Sequence, residues 1–209
     1  MDSSQFLSTT VVIGILTAAI RLASPYLFAA IGEMFGQRSG VLNLGVEGQM
    51  LMGAFFAFYY TVQTGNPWLG LVAAIIIGAI MGFAMAVVSV RWRAVQGISG
   101  IGFFIFGVGM SDLLFKTLLG EVTIINTGFN PINIPFLSDI PVLGTIFFQH
   151  NAMTYMAFLL VPIAWFILNK TTLGLKIRAV GENPQAADTL GVSVAKIRYL
   201  TVTMGGVMS

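Results

Sequence analysis

The chain has 209 residues, 56% of them hydrophobic and 9% charged, with a formal net charge of +2 and a mean hydropathy of +0.89. Soluble domains carry about 25% charged residues, so this composition excludes a water-soluble globule. With no cysteine and a single histidine it also excludes a disulfide framework and a histidine-based metal centre. Its basic residues, scattered in ones and twos, exclude the clustered basic face of a nucleic-acid binder.

A bilayer-spanning helix needs about 20 apolar residues. Runs of that kind predict spans at about 6–32, 41–62, 68–90, 97–119 and 153–169. A sixth begins near Tyr199 and is cut short at Ser209, because eleven helical residues cover only about 16 Å. The expected fold class is therefore all-α, a polytopic transmembrane helix bundle forming one domain over 1–209, incomplete at its C-terminus. No Lys or Arg precedes the first span and no convincing small-residue cleavage site follows it, so the span reads as retained rather than as a signal peptide. Arg21 lies inside it, and is expected to neutralise an acid or a backbone carbonyl beside a break at Pro25.

The second span opens with "RSGVLNLGVEGQMLMGAFFAF", residues 38 to 58. If the helix starts near Val41, Glu47 sits about 9 Å below the inner surface. A charge at that depth costs around 2.5 to 3.5 kcal/mol or more unless it faces the bundle or a wet cavity. Asn43 lies four residues earlier on the same helical face, where its amide would donate to the carboxylate. Three roles remain open for the pair: glue between helices, lining of a solute pathway, or a titrating relay. Gly45, Gly48 and Gly53 offer small surfaces for close approach by neighbours.

In the third span Gly78 and Gly82 form a GxxxG, for which packing is a sufficient reading in a chain with 24 glycines. The fourth span carries Phe103, Phe104 and Phe106, which could stack a base but are weak markers among 17 phenylalanines. Asp112 and Lys116, spaced i, i+4 near its outer end, read as a snorkelling pair. The loop from Gly120 to Ala152 holds Pro131, Pro135 and Pro141, which rule out a long helix, and its apolar piece from Ile140 to Phe148 is too short to span. A folded cap over the outer mouth is expected there. His150 carries no assigned role.

Charge sets the orientation. With "EMFGQRSG" inside, alternation places Arg38, Arg91, Arg93, Lys170, Lys176, Arg178, Lys196 and Arg198 on the cytoplasmic side, against Lys116 alone outside. The longest polar inner segment, 170–198, is not built as a flexible linker. Asn183 is a good N-cap, Pro184 suits the first helical position and Gly191 the residue past the end. "PQAADTL" then makes about two turns, and Ser193 is placed to cap the next helix. A short helix with small residues Ala186 and Ala187, lying along the inner face, has the form of a plug for a groove in another protein. No GxxxxGK[ST] occurs, so the chain has no recognisable nucleotide-hydrolysing loop of its own.

"RSGVLNLGVEGQMLMGAF" together with "TTLGLKIRAVGENPQAADTLGVSVAKIRYLTVTMGG" resembles the permease subunit of a bacterial ABC importer, nearest the nucleoside and simple-sugar group that works with a basic-membrane-protein-type lipoprotein. The resemblance covers roughly Arg21 to Ser209. It implies that the inner segment is the coupling loop docking on the ATPase, with Gly181, Glu182, Asn183, Pro184, Ala186, Ala187 and Gly191 as its matching positions. It further implies an ABC ATPase, a second related permease, an extracytoplasmic binding lipoprotein, a bacterial plasma membrane setting, and no cofactor or catalysis in this chain. The competing reading is an ion- or proton-coupled secondary transporter using Glu47. A membrane enzyme would need a nucleophile or paired acids on facing helices, and no such set stands out.

Overall fold

A computed structural model of the chain describes residues 9–120, 128–133 and 143–209. The predicted start of the first span, Pro135, Pro141 and the first residues of the apolar piece from Ile140 lie outside them.

The described chain is almost wholly helical. Helix α1 runs Thr9–Arg38, α2 Val46–Thr64, α3 Pro67–Ala86 with a π-helical turn over Val87–Arg91, and α4 Gln96–Leu114 with another over Phe115–Leu119. After a short strand β1 (Pro131–Asn133) come α5 (Leu143–Phe147) and β2 (Gln149–Asn151), followed by α6 (Ala152–Lys170), α7 (Thr172–Glu182), α8 (Pro184–Thr189) and α9 (Val194–Met208). Among the described residues four helices are long and apolar enough to cross a membrane: Thr10–Arg38, Pro67–Arg91, Gln96–Leu119 and Ala152–Lys170. Large apolar side chains such as Ile98, Ile105 and Trp165 stand exposed along them. In water such surfaces would aggregate, whereas in lipid they face their own solvent.

The bundle is a row of neighbours in the order α6, α1, α9, α3, α2, α4. Without a hydrophobic force between helices in lipid, close approach of backbones holds such a row together. Gly205 of α9 faces Gly32 of α1, while Gly206 of α9 fits against Gly78 and Gly82 of α3. The Gly78/Gly82 pair is thus used for packing. Gly45 and Gly48 meet Gly100, Phe103 and Phe104 of α4 in the same way. A Cβ on Gly53, by contrast, would meet nothing within 4 Å, so its expected part in close helix approach is corrected.

Helix α1 does not break at Pro25. Ser24 Oγ lies 3.0 Å from the Ile20 carbonyl and 3.3 Å from Thr154 Oγ1 on α6, which supports that turn from the side. Arg21 is exposed and has no hydrogen-bond or ion-pair partner among the described residues, so the neutralising role expected for it is also corrected. Asp112 and Lys116 do pair, at 2.7 Å, with both side chains largely exposed. In the segment before α6, β1 and β2 pair antiparallel, and His150 is buried with Nε2 2.7 Å from the Ile146 carbonyl.

Candidate functional site

Two places combine polar chemistry with unusual backbone, and a third joins them. The first is the segment 39–45 between α1 and α2, which is not helical. Helix α1 ends in a Schellman motif: Gly40 at φ +82° donates to the Gln37 carbonyl, and Val41 donates to the Gly36 carbonyl. Beyond it, side chains satisfy the freed amides. Leu42 N–H donates to Gln96 Oε1 at 2.8 Å, Asn43 N–H to Glu33 Oε1 at 2.9 Å, and Gly45 N–H to Asn43 Oδ1 at 2.9 Å. Irregular backbone survives within a membrane protein when it is enclosed and bonded in this way. Asn43 Nδ2 completes the node by donating to Gln49 Oε1 at 3.2 Å, and both residues are buried.

This geometry corrects the expected Asn43–Glu47 pair. Because α2 starts at Val46, Asn43 and Glu47 do not share a helical face, and Glu47 is an exposed acid in the first turn of α2. There it meets the positive end of the helix dipole, a favourable place for a carboxylate. It has no hydrogen-bond or ion-pair partner among the described residues. The acid that reaches Asn43 is Glu33, which the sequence reading passed over because it lies one residue beyond the predicted end of the first span. The signal for it was present in "RSG": a glycine suited to end a helix, with an acid seven residues before it.

Glu33 and Glu47 are therefore expected to respond differently to substitution. Glu33→Leu removes the acceptor of the Asn43 amide, at a cost of about 1 to 3 kcal/mol, while Glu33→Gln keeps a carbonyl acceptor and loses less. Glu47→Leu is expected to be well tolerated. Thermal unfolding of the detergent-purified protein checks the order. Equal losses for Glu33→Leu and Glu47→Leu would contradict the hydrogen bonding described here.

The second place is α7–α8. Helix α7, which the sequence reading did not separate from its loop, is amphipathic and buries Gly174, Ile177 and Val180. Its signal was the cap Thr171, whose Oγ1 accepts from Gly174 N–H at 3.2 Å, followed by apolar residues at helical spacing. Helix α8 has the local form its residues predict. Asn183 Oδ1 accepts from Ala186 N–H at 3.0 Å, Pro184 opens the helix, and Gly191 at φ +81° closes it, with Val192 N–H reaching back to the Ala187 carbonyl. Ser193 occupies the N-cap position of α9 but makes no capping hydrogen bond.

The two small residues of α8 part company. Ala187 is 2% exposed and packs into a core with Ile177, Val180 and Ile197, so it fastens α8 to its own chain and is not available for docking. Ala186, Gln185 and Asp188 face outward, as do Glu182, Asn183 and Gly191. At the tip Leu190 stands 83% exposed. An isolated leucine presented this fully beside a capped helix was not singled out from the sequence, where it reads as one apolar residue among many.

A weld joins the two places. Gly181, at the end of α7, lies so close to the Arg38 carbonyl that a Cβ there would overlap it. Arg198 Nε on α9 donates to the Ser39 carbonyl at 3.1 Å, and Ser39 Oγ meets Thr201 Oγ1 at 2.8 Å. The base of α8 and the first residues of the irregular segment are therefore held in direct contact.

Residues 15–209 match a family model described as "Branched-chain amino acid transport system / permease component". The chain is 41% identical over 197 residues to a protein of Haloferax volcanii named a putative glucose ABC transporter permease, covering 92% of this chain and 59% of that one. It is 40% identical over 215 residues to a guanosine ABC transporter permease of Bacillus subtilis, covering 99% and 66%. A nucleoside ABC transporter permease of Lactococcus lactis is 36% identical over 194 residues, covering 89% and 61%. The chain thus spans about three-fifths of the length of these relatives. No solved structure matches it.

Proposed function

The chain belongs to the family of permease components described for branched-chain amino acid transport systems, and from that membership we propose that it is the membrane-spanning part of an ATP-binding-cassette importer for a nucleoside or simple sugar. The named activities of the relatives support the solute class. The observation that carries the reading is α8, capped at both ends, anchored through Ala187 and offering Ala186 and Leu190 to a partner. Under this proposal the partner is the ATPase subunit, with a second permease and an extracytoplasmic binding protein completing the complex. Glu182, Asn183, Pro184 and Gly191 shape the coupling helix, and Gly181 seats it under α1.

The mechanism is alternating access driven from outside the chain. ATP-dependent closure of the ATPase pair displaces α8. Because Gly181 and Arg198 tie α7 and α9 to Arg38 and Ser39, that displacement reaches the irregular segment and the Asn43–Glu33–Gln49 node. This chain supplies two states and a bias between them, and no bond-making chemistry. The exposed, unpartnered Glu47 gives no support to an ion-coupled carrier. Uptake of labelled guanosine, ribose and glucose by cells carrying the complete transport genes, with and without the binding-protein gene, tests the proposal. Uptake that persists after deletion of the ATPase gene would sink it.

The orientation is tested separately. A reporter active only outside the cytoplasm is expected to work when fused after Gln149 and to be silent after Asn183, since eight basic residues gather on one side. The reverse pattern would place α8 where no ATPase could reach it.

A further inference from the structure

We propose that the groove between α1 and α6 is a binding site for an anionic phospholipid, its phosphate held by Arg38 and Arg178 and an acyl chain lying along Leu27, Met34, Val161 and Trp165. The groove encloses about 600 Å³, and its walls are apolar except at one end. Along α1 it runs from Leu27 to Arg38, about 16 Å at 1.5 Å per residue, which is half of the roughly 30 Å hydrocarbon layer. It is thus one leaflet deep, with both arginines at headgroup level.

Charge decides the occupant. Among the described residues the sole ion pair is Asp112–Lys116, so neither arginine is neutralised by an acid within 4 Å. Glu33, which borders Arg38 on the neighbouring face of α1, is engaged with Asn43 and Gln37. Arg178 Nε is buried and has no hydrogen-bond partner among the described residues. Two guanidiniums with no ion-pair partner among the described residues, at the end of an apolar trough, fit a phosphate carried on a hydrocarbon chain. Lys170, whose Nζ lies 5.8 Å from the Trp165 ring centroid, adds a third cation near this end of the groove. A zwitterionic lipid offers the same phosphate but brings its own cation beside Arg38, Arg178 and Lys170, so an anionic headgroup is favoured.

The site rests on the membrane reading of the helices and not on the importer reading, and its test needs no transport. The protein, extracted from its membrane in detergent, is titrated with phosphatidylglycerol and, separately, phosphatidylcholine, and retained lipid is counted by native mass spectrometry. Preferential retention of phosphatidylglycerol is expected. Arg38→Gln with Arg178→Gln should lower its affinity about 25-fold, at about fivefold per arginine. Lys176→Gln, at an exposed position on α7 outside the groove, should leave it unchanged. Equal retention of the two lipids, or an equal loss in Lys176→Gln, would overturn the site in favour of general surface charge. In a second arm, Trp68→Phe and Trp92→Phe leave Trp165 as the only tryptophan of this chain, and its fluorescence is read in phosphatidylcholine vesicles containing brominated phosphatidylglycerol. Quenching is expected. Its absence would show that protein fills the groove and would overturn the proposal even where the double arginine variant fails to assemble.

Discussion

Gly206→Leu is expected to abolish folded protein. A Cβ at this position would overlap the Gly78 carbonyl oxygen and fall 2.6 Å from Gly82 Cα and 2.8 Å from Gly82 N. All three are backbone atoms that no rotamer change can move, so α9 and α3 must separate. In lipid the separated surfaces gain nothing from water, and the packing that holds the row at its centre is lost. Overpacking a close contact costs about 1 to 3 kcal/mol when side chains give way, and more where only backbone is available. Gly102→Ala is the control, because a Cβ there meets nothing within 4 Å. Replacing glycine by alanine in a helix interior is worth roughly 0.5 to 1 kcal/mol in favour of folding. The check is the fraction of monodisperse protein by size exclusion after solubilisation. Comparable yields for Gly206→Leu and Gly102→Ala would refute the close crossing.

The two alanines of α8 are expected to give opposite phenotypes. Ala187→Trp has no space among Ile177, Val180 and Ile197 and is expected to remove folded permease. Ala186→Trp and Leu190→Asp alter only exposed positions, so the permease should insert and assemble normally. If the proposed importer is right, ATP hydrolysis stimulated by a loaded binding protein, in vesicles holding the permease with its ATPase, should fall about tenfold or more in both, as for a docking residue worth at least 1.4 kcal/mol. Normal stimulation in both, at equal permease abundance, would mean that α8 is not where the motor engages.

Membrane character and most helix positions could be read from apolar run lengths, since a bilayer imposes one length scale on every span. Capping chemistry is equally local, which is why Asn183, Pro184 and Gly191 could be placed without a structure. The irregular segment 39–45 was harder. Its residues Val41, Leu42 and Leu44 are as apolar as those of a helix, and hydropathy does not register that Gly40 stops α1 while Val46 begins α2. Placing the helix start five residues early turned a first-turn acid into a buried one and paired Asn43 with the wrong carboxylate. The division between Ala186 and Ala187 was likewise invisible, because it depends on which face α7 and α9 cover. Tertiary contacts, rather than spacing, decided it.

The place of α9 in the row has a consequence for biosynthesis. Its partners Gly32 on α1 and Gly82 on α3 are made long before it: from Gly82 to Val194 the ribosome adds more than a hundred residues, a delay on the order of ten seconds at 5 to 20 residues per second. If spans insert in the order they are made, α1 and α3 wait through that interval with a vacant slot between them. The last described helix must then enter sideways between two inserted neighbours, guided by glycines that lie flush on both sides. Placing α9 is therefore a keyed insertion, and until it happens the nascent permease carries two smooth helix faces open to any other small-residue helix in the bilayer.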